Sequence, residues 1–234
     1  RSRPSRLHEI REVRAAWLHN PRLDSGESWA EGRYRLIAQR GRGGFGTVWE
    51  AIDTHTNARV ALKILLEHQA DDRRIRRRFF RGAEILSGLT HPAIVRVRSG
   101  VEQEGLRFFY VMEFVEGETL GALIGAHPPE ALLEHVLEIG DALEHIHAHG
   151  LIHRDVKPGN ILITAKGRAC LVDFDLATGD AYLTTTTLTP GTAVYTPPES
   201  GTADSKTPAY DVYGLSRTVE HVLRGHPPTA AERA

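Results

Sequence analysis

Asp155, Lys157 and Asn160 put a carboxylate, an ammonium and a carboxamide within six positions, in the run Leu151-Ile152-His153-Arg154-Asp155-Val156-Lys157-Pro158-Gly159-Asn160. A carboxylate can take a proton from an alcohol, and an ammonium can neutralise a phosphate. The oxygens of a carboxamide and of a second carboxylate can ligate Mg²⁺. Asp173, in Leu171-Val172-Asp173-Phe174-Asp175, supplies that second carboxylate. Pro158 and Gly159 interrupt the first run, so it is predicted to be a non-helical segment pinned between apolar stretches. An ordinary polar loop has the same composition, so what matters is which elements hold these groups.

From residue 34 the pattern is strand-like, over 34–39, 47–52 and, after a turn at 55–57, 60–65. Between the first two strands lies Gly41-Arg42-Gly43-Gly44-Phe45-Gly46-Thr47-Val48. A dinucleotide site follows such glycines with a helix. Here Val48, Trp49, Ala51 and Ile52 continue as a strand, which favours a hairpin whose backbone amides approach phosphates. In Val60-Ala61-Leu62-Lys63 an interior strand carries a lysine, and a buried ammonium needs a partner, so Lys63 predicts an anion.

Residues 71–89 read as a helix, with Ile75, Phe79, Ala83 and Leu86 on one face and arginines among 73–81 over much of the rest. A solvated basic face is the default for such a run; a docking surface for an acidic or phosphorylated segment is the minority reading. Thr90-His91-Pro92 stops it. Strands follow at 94–101 and 106–114, then a strong helix at 131–149. His145, His147 and His149 read as surface histidines at a helix end, because no carboxylate or cysteine completes a set at ligand spacing. Strands dominate the first part and helices the second, an α+β pattern whose boundary falls near Glu116. Residues 1–32 read as an extension, helical around Leu7, Ile10, Val13, Trp17 and Leu18, with 24–32 as a linker.

The 234 residues carry a formal net charge of -1, which points to neither nucleic acid nor an anionic membrane as the main partner. The single cysteine, Cys170, excludes an internal disulfide framework and fits a reducing cytosol. No apolar run approaches the roughly 20 residues of a membrane span. The chain opens on Arg1, which reads as an excerpt of something longer.

In this order the motifs resemble the eukaryotic-like protein kinase domain of the bacterial serine/threonine type, from about residue 34 to 228. Gly41, Gly43, Gly46 and Val48 resemble its glycine-rich loop, and Val60-Ala61-Leu62-Lys63 its third-strand lysine motif. His153-Arg154-Asp155 to Asn160 resembles the catalytic loop, and Asp173-Phe174-Asp175 the metal-binding segment. Gly191-Thr192-Ala193-Val194-Tyr195-Thr196-Pro197-Pro198-Glu199 resembles the end of an activation segment, and Asp211-Val212-Tyr213-Gly214 the start of the helix anchoring the larger lobe.

The resemblance implies a bilobal α+β fold, with a small β-rich lobe over 33–115 and a partial helical lobe over 116–234. It implies ATP and Mg²⁺ between the lobes. The phosphates would lie under Gly43, Gly44, Phe45 and Gly46, with Lys63 on the α and β groups. Glu113 and Val115 would meet the adenine, Val48, Ala61 and Leu162 would wall it, and Met112 would be the gatekeeper. Asp155 would be the base, Lys157 and Thr192 would mark serine/threonine specificity, and Asn160 and Asp173 would bind metal. A protein substrate, autophosphorylation on Thr184 to Thr187, Thr189 or Thr192, and a fused effector or regulatory domain belong to the same implication.

Three departures bear on function. Asp175 stands where the family has glycine, and is expected to alter loop mobility rather than metal binding. The usual register for the acid pairing with Lys63 falls on Gly82, so Glu84 is expected in that role. The chain ends soon after Pro228, leaving Glu199 without its arginine, so the larger lobe is expected to continue or to be completed differently. A pseudokinase scaffold is the alternative these departures favour. A small-molecule kinase shares the Asp-to-Asn spacing but has no such activation segment.

Overall fold

The computed structural model describes residues 23–43, 46–105, 107–177, 193–198 and 207–229. The helix expected around residues 7–18 lies outside them. The chain forms two compact units: one runs up to Phe80 and resumes over Val97–Phe114, and the other takes Arg81–Arg96 and the chain from Val115 on.

The first unit is a six-stranded antiparallel sheet in the order β1-β2-β3-β4-β6-β5. The strands are β1 (Ser28–Trp29), β2 (Tyr34–Arg42), β3 (Gly46–Asp53), β4 (Ala58–Leu65), β5 (Val97–Glu104) and β6 (Arg107–Glu113). Alternation sorts the side chains. Leu36, Trp49, Ala51, Val60, Leu62, Ile64, Phe109 and Val111 form the core with Trp29 and Tyr34. The opposite parity puts Val48, Ala61, Lys63, Tyr110 and Met112 on the other face, since Val48 and Tyr110 lie opposite Lys63 and Met112 lies opposite Ala61. Two helices follow β4: α1 (Glu67–Ala70) and α2 (Arg73–Gly88). Phe79 of α2 packs on Tyr110, ring centroids 5.1 Å apart.

Residues 24–32, expected as a linker, instead supply β1. A two-residue strand has no periodicity to read, yet Trp29 is buried, edge-on to Phe109 at 5.3 Å, with the Arg107 guanidinium 5.8 Å from its ring. The strand expected from residue 94 begins at Val97, and Ile94 makes only an isolated bridge to Leu171.

In the second unit, α3 (Leu120–Leu123) is capped by Thr119, whose hydroxyl accepts from the Ala122 N–H. α4 (Pro129–Ala148) buries Leu132, Val136, Ile139, Leu143 and Ile146, spaced three or four apart as one helix face requires. It packs on α5 (Ala209–Arg224). Strands β7 (Gly117–Thr119), β8 (Ile161–Thr164) and β9 (Ala169–Leu171) form a second antiparallel sheet. The segment predicted as non-helical contains one 3₁₀ turn, Pro158–Asn160, with Pro158 where its missing N–H is harmless. Among the described residues no helix is long and apolar enough to cross a membrane.

Truncating Trp29 removes a core aromatic and two ring contacts. Trp29→Ala is expected to lower the unfolding free energy by about 3–5 kcal/mol, read from denaturant unfolding followed by circular dichroism.

Candidate active site

β8 and the turn before it place Asp155, Lys157 and Asn160 together. The Lys157 ammonium donates to both Asp155 oxygens, at 2.9 Å to Oδ1 and 2.8 Å to Oδ2. Asn160 Nδ2 donates to the Asp155 carbonyl and to Oδ2, both at 2.8 Å. With its amide nitrogen so engaged, Asn160 keeps Oδ1 as an acceptor. Val172 N–H donates to the Asn160 carbonyl at 2.9 Å, joining the turn to the residue before Asp173.

The backbone around Asp155 is held from below. Asp211, buried at the start of α5, accepts the His153 N–H at Oδ2 (2.8 Å) and the Arg154 N–H at Oδ1 (2.7 Å). His147 Nε2 donates to the same Oδ2 at 2.8 Å. Arg154 sits in the left-handed region at φ 67°, an unusual place for a long side chain. Gly214 seats the helix against this segment, because a Cβ there would lie 2.8 Å from the Val156 carbonyl oxygen.

His153 is fully buried, edge-on to Phe174 at 4.6 Å, and its Nδ1 accepts the Asp155 N–H at 3.2 Å. Loss of hydration pushes its pKa below the ordinary value, against the upward pull of Asp211, Asp155 and Asp173. His221, bonded to the Tyr195 hydroxyl at 2.7 Å, is lowered by burial first and by His226 second. Burial pushes the Tyr195 phenol up to about 12.

Asp173, not Asp175, takes the left-handed conformation in its segment, at φ 67°. Asp175 has no need of the glycine-like backbone its position suggested. It is buried, and its N–H meets Asp173 Oδ1 at 3.4 Å. Gly82 packs beside this segment, since a Cβ on it would lie 3.1 Å from the Phe174 carbonyl oxygen. Glu84 is on the exposed side of α2, so its assignment to Lys63 rests on sequence register alone.

The remaining expected positions fall as follows. Lys63 and Met112 are buried, Ala61 lies beside them on β4, and Val48 is half-buried. Gly41 lies in β2, and the Gly43 N–H donates to the Gly46 carbonyl at 2.8 Å, closing the hairpin. A Cβ on Gly46 would meet the Ile64 carbonyl oxygen at 2.7 Å, so only glycine fits. Glu113 ends β6, Val115 follows in the second unit, and Leu162 lies in β8 opposite Cys170. Gly44, Phe45 and Thr192 lie outside the described residues, as do Thr184 to Thr187 and Thr189.

His147 was expected as a surface histidine and is a ligand of Asp211 instead. Its position on the α4 face turned toward α5 is invisible to a test for metal spacing. The sequence marked Asp211 only as the start of a helix, in Asp211-Val212-Tyr213-Gly214, and the buried face it shares with Gly214, Thr218 and His221 has no apolar stripe to reveal it.

A protein-family model described as "Protein kinase domain" matches residues 34–234. The serine/threonine-protein kinase PknA of Mycobacterium tuberculosis is 38% identical over 213 residues, covering 87% of this chain and 49% of PknA. The serine/threonine-protein kinase PrkC of Bacillus subtilis is 37% identical over 213 residues, covering 87% of this chain and 32% of PrkC. The chain thus spans half or less of these relatives. The crystal structure of the Mycobacterium tuberculosis PknI kinase domain superposes with a TM-score of 0.69 at 28% identity, covering 89% of this chain and 80% of that one.

The neutral buried histidines set a pH dependence. An unfolded chain protonates His153 and His221 near their ordinary 6.5, while the folded chain resists. The stability they contribute is therefore present above that value and lost as pH falls below it. The urea midpoint is expected to drop between about pH 7.5 and about pH 5.5, and His153→Asn to flatten the drop; equal slopes in both proteins would remove His153 from the cause.

Proposed function

The chain belongs to the protein kinase domain family, and from that premise we propose that it transfers the γ-phosphoryl group of ATP to serine or threonine hydroxyls of proteins. The family uses ATP and Mg²⁺. The observation that carries the reading is how the Asp155 carboxylate is occupied. Each carboxylate oxygen has two lone pairs. Oδ2 accepts from both Lys157 and Asn160, while Oδ1 accepts from Lys157 alone among the described residues. Oδ1 is thus the atom placed to take a proton.

In the proposed step a substrate O–H gives its proton to Asp155 Oδ1 as its oxygen bonds to the γ-phosphorus. The bond from that phosphorus to the β–γ bridging oxygen breaks, and ADP leaves. Lys157, already against Asp155, keeps the carboxylate oriented and offsets charge on the incoming phosphoryl group. Asn160 Oδ1 and Asp173 are hard oxygen donors that suit Mg²⁺, which when bound would neutralise charge on the phosphates. Lys63 is assigned to the α and β phosphates, and Glu84 to Lys63. Gly43 to Gly46 are assigned to the phosphates, Val48, Ala61, Met112, Glu113, Val115 and Leu162 to the adenine, and Thr192 to the substrate side. On this reading the work is done in the cytosol on a protein substrate, with a fused effector or regulatory domain as the source of control.

A second reading, a nucleotide-binding scaffold, is favoured by Gly82 at the acid's register. One assay separates the two. With labelled ATP and Mg²⁺ the chain is expected to label itself on threonine within residues 184–192, and Asp155→Asn to slow this by about 10²- to 10⁴-fold. Nucleotide binding without labelling would favour the scaffold.

A further inference from the structure

The arginines of α2 are not used by the chemistry above, and they do not simply coat a flat helix face. Arg73, Arg74, Arg76 and Arg77 line an open depression of about 680 Å³ together with Phe80. Phe80 is exposed and lies edge-on to Phe108 at 5.3 Å, and the Arg76 guanidinium lies 5.8 Å from the Phe108 ring. The depression is therefore lined by four cationic side chains and one exposed aromatic, Phe80, which is backed by Phe108.

Most of that cationic lining is uncommitted. Among the described residues the Arg74 side chain has only a long contact to Asp72, 3.7 Å, and Arg76 donates to the Ala70 carbonyl at 3.3 Å. Arg73 and Arg77, both exposed, make no ion pair or hydrogen bond among the described residues. The first turn of α2 contains no acidic residue. Cations at a helix N-terminus oppose the helix dipole, and like charges four apart repel, so this arrangement works against the stability of α2.

We propose that this depression is a docking site for an acidic peptide segment of a partner protein, one that seats an aromatic or aliphatic side chain on Phe80 and Phe108 while its carboxylates meet Arg73, Arg74 and Arg77. Charge complementarity selects the sign. Extent selects the class: residues 73–80 span about 10 Å of helix axis, longer than one phosphate group and suited to several spaced charges. Asp71 and Asp72, just before α2, would repel a long polyphosphate backbone and confine the ligand to a short segment. The exposed Phe80 ring asks for a side chain that a free anion lacks. The inference rests on α2 and β6 alone, so its failure leaves the phosphoryl-transfer reading standing.

The test is fluorescence anisotropy on the full chain, with a short labelled peptide of glutamates around a central phenylalanine. Saturable binding is expected, weakened about tenfold between low and physiological salt. Arg73→Glu with Arg77→Glu, both exposed and so tolerable to the fold, is expected to weaken it by a further tenfold or about that. Replacing the peptide's phenylalanine by alanine is expected to weaken binding about fivefold, and to have no effect once Phe80→Ala is present. Binding that ignores the charge reversal would overturn the proposal. So would equal affinity for the alanine peptide on the unmodified chain, complete competition by inorganic phosphate, or tighter binding of a single-stranded oligonucleotide or an anionic phospholipid vesicle.

Discussion

One buried carboxylate, Asp211, holds the backbone beside Asp155 in place. Asp211 accepts hydrogen bonds from His153 N–H, Arg154 N–H and His147 Nε2, and is itself sealed from water. Two consecutive backbone N–H groups aimed at one side chain fix the chain direction, and they do so around Arg154, whose left-handed backbone would otherwise be disfavoured. Removing that anchor would leave buried donors without acceptors, a penalty comparable to the loss of charged hydrogen bonds. The orientation of Asp155, one residue on, follows from it.

The same economy of constraint operates around the rest of the segment. Gly214 lets α5 approach the Val156 carbonyl, and Gly82 lets α2 approach that of Phe174. Each contact is between backbones, where a side chain would intrude. His153 joins the two sides: its ring packs on Phe174, its Nδ1 holds the Asp155 N–H, and burial keeps it neutral. In the first unit the device is different. Strand parity alone gives Lys63 the same face as Val48, Ala61 and Met112, while Leu62 and Ile64 fill the core behind it.

The long elements were legible in the sequence because period carries them. Alternation marks β2 to β4, and three-to-four spacing marks α2 and α4, to within a few residues. The clustering of Asp155, Lys157 and Asn160 was legible because their spacing is short and local. What escaped was set by tertiary contact. β1 has two residues and no period, and is a strand only because Trp29 finds Phe109. His147 looks like a solvent-facing helix residue until α5 brings Asp211 to it. Asp175 stands where the family has glycine, and the left-handed backbone of its segment falls on Asp173 instead, a placement that residue types alone do not give.

The central claim is that Asp211 positions the catalytic carboxylate without touching substrate, and steady-state kinetics of Asp211→Asn on a peptide substrate test it most directly. The amide keeps the volume but turns a donor toward backbone N–H groups. The account predicts a fall in kcat of about 10²-fold with the KM for ATP little changed and the chain still folded. An unchanged kcat in the folded variant would contradict it.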